Sequence, residues 1–432
     1  MQFAVRKSQS ATLLLTLLLV LALDFFEATP WETGYFRVQA LFILGMALFA
    51  ILYVTDRLVY KKQPDGIPLY YTLLIMLIPL YGALMAYAAF GQPLLYGLLS
   101  ERSWYLLGAG ILLYHLLVVG TISFVQLEKA MVIMIWGSLL FFLAVIAVDT
   151  LGVAEFADSK MIHVASIRGV RYKFQTFFIT FGTIYYFVKY MKEKDYRYLI
   201  PVIILMSYIL LVMQSRTTLL AITMTLVLFM AFNGSGKKIL LLLGVTVAGF
   251  LMIQLIAPEF IETMRYLFEQ MMMVMTGELS DDASANARIF AARIVLDYFE
   301  GNPLAMLFGT GSVSRHWEGG YSGLFGYFYP VDIGLLGGLF VYGVVGTVAI
   351  FLIPLFLVVM GIRRSRNSES VFVHALRYSL VYAIIKGVQG SFFFQPMSYV
   401  IPFFVLLAFL KLRQSEGRAP TVRSMERKGD RV

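Results

Sequence analysis

The chain has 432 residues, of which 59% belong to the hydrophobic set A, V, I, L, M, F, W, Y and C and only 14% are charged. A soluble domain has about 25% charged residues, so this chain lacks the polar surface that soluble domains of its length require. Its mean hydropathy of +0.78 and its repeated apolar runs indicate a polytopic membrane protein. The absence of cysteine excludes a disulfide scaffold, and the apolar content excludes a soluble enzyme and a disordered chain.

Apolar segments of about 20 residues, the length that crosses a bilayer, recur along the chain. We predict an all-α fold: a polytopic membrane protein with about 12 transmembrane helices and one long helical extracytoplasmic loop. The predicted spans are residues 9–25, 36–55, 69–89, 104–123, 130–150, 173–190, 197–214, 217–233, 238–257, 331–361, 371–390 and 397–412. The predicted regions are helices 1–9 in residues 1–257, the large loop with two helices in 258–330, helices 10–12 in 331–412, and a disordered basic cytoplasmic tail in 413–432.

The basic residues predict the orientation of these spans. The formal net charge is +9, and Lys and Arg collect on the cytoplasmic side of membrane proteins. With the N-terminus inside, 22 of the 35 basic residues lie in cytoplasmic segments and 11 lie outside. Both termini are therefore predicted to be cytoplasmic, the charge implies no nucleic-acid partner, and we expect the first span to be a retained signal anchor.

The loop 258–330 is far longer than a connection requires, which is typical of a functional segment. Its first part has apolar residues at three- and four-residue spacing, from Phe260 to Met275. This pattern predicts an amphipathic helix, lying either on the outer leaflet or over the transmembrane bundle.

A second loop helix is predicted from Arg288 to Glu300, ended by Gly301-Asn302-Pro303. We place Arg288 in the first turn, where a cation adds to the positive end of the helix dipole and favours a phosphate ligand. The alternative is that Arg288 pairs with Asp281 or Asp282.

A glycine turn, Gly309-Thr310-Gly311, is followed by a stretch rich in Gly and Tyr that contains Arg315, His316 and Tyr329. Aromatic rings on an outside loop suit stacking against sugars, and they suit the membrane interface equally well. His316 is a candidate base or a solvated side chain.

Two charged residues stand where apolar spans begin. Asp332 opens the tenth span, and a carboxylate at that depth requires a partner or a function. Arg216 lies in the short outside turn Gln214-Ser215-Arg216, where it binds an anion or snorkels to lipid headgroups. Arg171, before the sixth span, is a weaker candidate of the same kind.

Without cysteine or clustered histidines, and without a phosphate-binding or dinucleotide motif, we expect no metal and no cofactor.

The arrangement resembles the O-antigen polymerase and O-antigen ligase superfamily of bacterial membrane glycosyltransferases. The resemblance lies in the turn QSRTTLLA, the long outside loop with NARIFAARIVLDYFEGNP and FGTG, and the glycine-punctuated span DIGLLGGLFVYGVVG. It covers residues 200–350, and the rest of the chain agrees in hydropathy only.

The resemblance implies transfer of an undecaprenyl-diphosphate-linked glycan to a sugar hydroxyl, in the bacterial inner membrane. By position, Arg216 and Arg288 match the arginines that hold the diphosphate, with Arg293 assisting. Ligases of the family carry a histidine near the end of the loop, where this chain has Asp332, which favours a polymerase. Asp332 then accepts the proton of the acceptor hydroxyl or orients the sugar. Arg293, Arg315, His316, Tyr329 and Arg171 are the expected substrate-binding residues.

We therefore predict a metal-independent polysaccharide polymerase, with the lipid-linked oligosaccharide and the bilayer as partners and a chain-length regulator and a flippase as further expected partners. The alternatives are a ligase that joins the glycan to a lipid or protein, and a polysaccharide or lipid transporter. The missing internal repeat and the scarcity of charged residues within spans argue against the transporter.

Overall fold

A computed structural model describes most of the chain. The described residues are 2–23, 25–26, 32–59, 66–152, 162–165, 169–172, 174, 176–233, 265, 269, 283–352, 359, 370–389 and 397–418. The predicted ninth span, 238–257, lies outside them, as do most of the first loop helix and residues 419–432 of the tail. Arg265 and Glu269, from that loop helix, are both helical and form an exposed ion pair of 3.0 Å.

The described residues are mainly helical, as predicted. The α-helices are α1 (Gln2–Ala22), α2 (Glu32–Val59), α3 (Gly66–Phe90), α4 (Leu94–Ser100), α5 (Leu107–Val119), α6 (Phe124–Thr150), α7 (Phe177–Glu193), α8 (Leu199–Tyr208), α9 (Arg216–Asn233), α10 (Ala283–Gly301), α11 (Pro303–Phe308), α12 (Tyr321–Phe325), α13 (Gly334–Thr347), α14 (Val371–Gln389) and α15 (Met397–Arg418). Shorter 3-10 segments are Arg102–Leu106, Tyr196–Tyr198 and Pro330–Ile333, and π-helical segments are Ile209–Met213 and Val348–Leu352.

Five helical stretches among the described residues are long and apolar enough to cross a membrane. They are Thr72–Phe90, Arg102–Val119, Phe124–Thr150, Tyr196–Met213 and Pro330–Ile350. Three shorter apolar helices are Ser10–Ala22, Val38–Tyr53 and Thr217–Asn233. A helical membrane protein is thus supported, and the total of twelve spans stays a prediction.

A short hairpin adds two strands to the predicted helical fold. Strands β1 (Ile162–Ala165) and β2 (Gly169–Tyr172) pair antiparallel, with His163 opposite Arg171. The Tyr172 hydroxyl donates to Asp149 Oδ2 at 2.7 Å, which ties the hairpin to the end of α6.

The core is built around α7, in which the twelve consecutive residues Phe177–Val188 are all buried. Such all-round burial is typical of a central helix, and α6, α8, α9 and α14 pack around it. Helix α6 buries one stripe, whereas large apolar side chains such as Ile133 and Leu140 remain exposed on its other face. An apolar outer surface of this kind is what a helix facing lipid requires.

Glycines allow close helix crossings at several points. A Cβ atom at Gly110 of α5 would lie 2.4 Å from the Phe404 ring of α15, and one at Gly182 of α7 would lie 2.6 Å from Ile135 of α6. Small residues at such crossings let helix backbones approach closely, which increases the van der Waals packing between membrane helices.

Helix α13 is interrupted at Gly343, whose φ of 64° and ψ of −176° are not helical. The glycine turn 309–311 enters this break: the Thr310 amide donates to the Phe340 carbonyl at 2.8 Å, and the Gly311 amide donates to Val341 at 2.9 Å. On its other side the turn meets α3, where the Ser312 amide donates to the Gly82 carbonyl at 3.3 Å.

The turn therefore lies between two spans rather than over them. Phe340 is ten residues beyond Pro330, the first residue of its span. At 1.5 Å per residue, the turn reaches about 15 Å below the beginning of that span. Non-helical backbone at such depth is tolerated because protein surrounds it and its amides are hydrogen-bonded. The sequence prediction did not anticipate this re-entrant position.

The C-terminal boundary also differs from the prediction. Helix α15 continues through Arg418, so residues 413–418 are helical and the predicted disordered tail from 413 begins too early. The cause is local, since residues 413–418 contain mostly good helix formers and the next proline is Pro420.

The close contact between the glycine turn 309–311 and the break in α13 predicts a difference in stability between two alanine variants. Gly309 and Gly326 both have a φ near +77°, at 78° and 75°, but a Cβ at Gly309 would lie 2.3 Å from the Val341 carbonyl oxygen, whereas one at Gly326 meets nothing within 4 Å. Gly326→Ala should lower the free energy of unfolding by about 1–3 kcal/mol through backbone strain alone. Gly309→Ala should lower it by roughly a further 1–3 kcal/mol or more, because backbone must move. Thermal unfolding of detergent-purified protein measures both effects. Equal losses of stability in the two variants would contradict the close contact of Gly309 with α13.

Candidate functional site

A cavity of about 1110 Å³ opens beside the re-entrant turn. Its walls come from three segments: residues 96–103 between α3 and α5, residues 312–322 after the turn, and residues 327–332 before α13, with Tyr342 at its inner end. The sequence places residues 90–103 and 258–330 on the same, outer side of the membrane. Their meeting in one cavity agrees with that relative placement.

Four of the residues predicted from the sequence line this cavity: Arg315, His316, Tyr329 and Asp332. Arg315, His316 and Asp332 are exposed, and the Arg315 guanidinium lies 5.7 Å from the centre of the Tyr329 ring. The structure therefore brings together a cation, an imidazole, an aromatic ring and a carboxylate that are spread over 18 residues of sequence.

Arg288 and Arg293 lie elsewhere, on α10, and neither lines the cavity. Helix α10 begins at Ala283, so Arg288 is its sixth residue and the predicted first-turn position is wrong. The reason is that residues 283–287, which precede Arg288, are already helical. Both arginines are exposed. Five positions apart, they point about 140° away from each other around the helix, so they do not form one paired anion site.

Arg216 and Arg171 come from neighbouring elements. Arg216 is the first residue of α9, and Arg171 lies in β2, which contacts the π-helical segment immediately before the Gln214-Ser215 turn. The turn is present as predicted, with Gln214 left-handed at φ 48° and the Ser215 hydroxyl hydrogen-bonded to Thr218 Oγ1 at 2.9 Å. The side chains of both arginines lie outside the described part of the structure.

The sequence prediction missed Glu101, a buried carboxyl group at the cavity wall. Only 3% of Glu101 is exposed. The Tyr342 hydroxyl donates to its carboxylate at 2.9 Å from Oε2 and 3.1 Å from Oε1, and Trp104 Nε1 donates to that hydroxyl at 3.3 Å. In this linker the sequence prediction used only basic residues, which indicate topology, and assigned no role to the acid. An acid in a short linker between two apolar spans was the signal that could have found it.

The surroundings of Glu101 are set by three packed elements. It lies between α4 and the 3-10 segment that begins at Arg102, and its carboxyl group rests on α3 where a Cβ at Gly82 would be 2.8 Å from Oε1. Gln92 fastens the re-entrant stretch above it: Gln92 Nε2 donates to the Ser312 carbonyl at 3.1 Å, and the Ser314 amide donates to Gln92 Oε1 at 2.7 Å.

The electrostatics of Glu101 are dominated by burial. Desolvation raises the pKa of its carboxyl group to about 7, while hydrogen bonds from Tyr342, Ser312 and Trp104 act in the opposite direction. None of these influences is a cation. Burial likewise raises the pKa of Tyr321, whose hydroxyl donates to the Gly311 carbonyl.

The cavity thus combines groups that can bind an anionic, sugar-containing ligand with a carboxyl group that exchanges a proton near neutral pH. Arg102 and Arg315 supply positive charge, and tyrosine rings and exposed carboxylate supply stacking and hydrogen bonds. A carboxyl group titrating near the working pH is suited to acid-base chemistry.

No protein-family model matches the chain, and no curated protein matches its sequence significantly. The resemblance to the O-antigen polymerase and ligase superfamily therefore remains an expectation from the motifs.

The raised pKa of Glu101 predicts a pH dependence of stability. In the unfolded chain the carboxyl group ionises near its ordinary pKa of 4.5, and in the folded protein it ionises near 7. Between these values the folded state binds more protons, so the free energy of unfolding falls as pH rises through this window. The fall amounts to about 3 kcal/mol.

Glu101→Gln should remove this contribution. The melting temperature of the wild type should fall further than that of the variant between about pH 5 and about pH 8. Glu193→Gln, at an exposed position, is the control and should follow the wild type. Equal falls for the wild type and Glu101→Gln would show that Glu101 ionises normally.

Proposed function

We propose that the protein is a membrane glycosyltransferase that polymerises undecaprenyl-diphosphate-linked oligosaccharide repeat units into O-antigen or exopolysaccharide at the outer face of the bacterial cytoplasmic membrane. The observation that carries the proposal is the cavity beside the re-entrant turn. It combines Arg102 and Arg315 with Asp332, Glu101 and several tyrosine rings. Arginines can bind a diphosphate leaving group, and carboxyl groups and tyrosine rings can bind the sugar attached to it.

The arginines support the choice of donor. A diphosphate leaving group gains negative charge as its bond to the sugar breaks, and guanidinium groups stabilise that charge without a metal ion. Arg315 is exposed within the cavity, above the Tyr329 ring. Arg315 is proposed to hold the diphosphate in the cavity. Arg216 and Arg288 are proposed as diphosphate contacts from the family resemblance alone, since Arg288 does not line the cavity.

The cavity edge also suits a lipid-linked substrate. Tyr96 and Leu99 of α4 line the cavity, and the neighbouring Leu94 and Leu95 are exposed at 41% and 67%. Exposed apolar residues therefore run from the outer surface of α4 to the mouth of the cavity. A polyprenyl chain remaining in the bilayer could lie along them while its sugar enters the cavity.

A ligase is the second candidate because of His316. Ligases of the family use a histidine near the end of the loop, and His316 lines the same cavity as Asp332. In a ligase the acceptor would be a lipid or protein rather than another repeat unit. The chemistry at the donor sugar would be unchanged.

Transfer by the purified protein tests the proposal. Liposomes holding the protein should be given polyprenyl-diphosphate-linked oligosaccharides extracted from cells that lack the gene. We expect products longer by whole repeat units and release of undecaprenyl diphosphate, both detected by mass spectrometry. Transfer only to an added lipid or protein acceptor would indicate the ligase. Movement of the oligosaccharide across the liposome membrane without any new bond would indicate a transporter and overturn the proposal.

The arginines provide a second test. Arg216→Ala and Arg288→Ala should each abolish polymer in cells while the protein level stays normal, because each removes positive charge from the diphosphate. Polymer length by gel electrophoresis is the measurement. Near-normal polymer in both variants would overturn their assignment. Loss only with Arg315→Ala, made in parallel, would place the diphosphate in the cavity instead of against α10.

Arg197→Ala, an exposed basic residue on the predicted cytoplasmic side, is the matched control for loss of charge and should leave polymer unchanged.

A further inference from the structure

Two carboxyl groups line the cavity in contrasting environments. Asp332, predicted from the sequence as the base, lies exposed in the 3-10 turn before α13, whereas Glu101 is almost fully buried. Two carboxyl groups in one site commonly divide the work when their surroundings differ, one exchanging a proton and the other remaining ionised.

The contacts of Glu101 hold its carboxylate in one place. Tyr342 contacts both carboxylate oxygens, and Trp104 donates to the Tyr342 hydroxyl. The ring centres of Trp104 and Tyr342 are 6.3 Å apart at an interplanar angle of 88°. Tyr342 belongs to the turn of α13 just before the break at Gly343. The position of Tyr342 beside this break thus sets the direction of the hydrogen bond to Glu101.

A merely structural carboxylate at such a position would be expected to have a cationic partner. Buried charges in proteins are normally paired, because an unpaired one is strongly penalised by desolvation. The groups that influence Glu101 among the described residues are a phenol, an indole and a hydroxyl, all neutral. Burial beside these neutral donors leaves the group able both to take and to release a proton, and Glu101 is one of the residues that line the cavity.

We propose that Glu101, rather than Asp332, accepts the proton of the acceptor hydroxyl during glycosyl transfer, and that Tyr342 is the positioning residue for its carboxylate. The inference rests on the proposed function and deepens it by assigning the base. Asp332, at the exposed side of the same cavity, then orients the sugar through hydrogen bonds to its hydroxyl groups.

The acceptor oxygen forms a bond to the anomeric carbon of the donor sugar, and its proton moves to the Glu101 carboxylate. The bond between the anomeric carbon and the diphosphate oxygen breaks, and its electron pair leaves with the diphosphate. Protonated Glu101 then returns the proton to water through the cavity, so neither an oxidant nor a metal ion is required.

The test is the pH dependence of transfer, using the protein in liposomes with oligosaccharides extracted from cells that lack the gene. The wild-type rate should rise with pH through about 7 and then level off. Since a general base contributes about 10²–10⁴-fold, Glu101→Gln should lower the rate at least about 100-fold and abolish the rise. Glu193→Gln is the matched control and should retain the wild-type profile.

Tyr342→Phe separates positioning from mere structure. The lost hydrogen bond favoured the ionised carboxylate, so its removal should move the rising limb of the pH profile to higher pH. The loss of positioning should also lower the rate on the plateau. A purely structural role predicts a lower rate at every pH with an unmoved limb. Monodisperse elution and a cooperative thermal unfolding transition identify which variants are folded.

The outcomes distinguish this proposal from the function on which it rests. Transfer by Glu101→Gln near the wild-type rate overturns the role of Glu101 and leaves the proposed function standing. A flat profile for Asp332→Asn with a normal one for Glu101→Gln returns the base to Asp332. An absence of transfer by the wild type overturns both. If Glu101→Gln does not fold, an unmoved limb in Tyr342→Phe is sufficient to overturn the proposal.

Discussion

The backbone crossing of Gly309 and Gly343 is the constraint on which the site depends. A break within an apolar helix exposes carbonyl groups that lipid cannot satisfy, so something else must supply donors. Here the amides of Thr310 and Gly311 supply them, to Phe340 and Val341. The contact requires glycine on both sides, since a Cβ at Gly343 would lie 2.4 Å from the Gly309 amide nitrogen. The same contact draws the following stretch, from Ser312 onward, down beside α3 and places it against Glu101.

Neutral side chains of α3, α4 and the linker between them then hold the re-entrant stretch by hydrogen bonds. The Tyr81 hydroxyl donates to the Phe308 carbonyl, Ser100 Oγ lies 3.1 Å from Ser312 Oγ, and Gln92 bridges Ser312 and Ser314. None of these described contacts is an ion pair, so their strength depends little on salt. Glu101 is the carboxyl group that these described contacts surround. A network of fixed neutral donors around one carboxyl group is suited to holding that group still while its charge changes.

The sequence prediction was most successful in grouping site residues that lie near one another in the sequence. Arg315, His316, Tyr329 and Asp332 were chosen for their chemistry on one loop, and all four line the cavity. The end of α10 at Gly301-Asn302 was also predicted correctly, because Gly and Pro end helices locally. The start of α10 was not, since several residues before Arg288 could serve as caps and nothing local selects one. Glu101 was not predicted, because the burial and hydrogen bonding of its carboxyl group come from Gly82, Ser312 and Tyr342. These residues lie outside its own segment, and none of them carries a recognisable sequence motif.

By itself the sequence determined that this is a helical membrane protein, because the bilayer demands long apolar segments that can be recognised in the sequence without knowledge of their neighbours. It also determined which polar residues are left in the second half of the chain to do chemistry. Only the tertiary structure decided which of them meet. It joined residues 96–103 to residues 312–332, left Arg288 and Arg293 on a separate helix, and buried Glu101. The physical reason is that burial and hydrogen bonding of a carboxyl group depend on packing between elements hundreds of residues apart, for which local sequence patterns carry no signal.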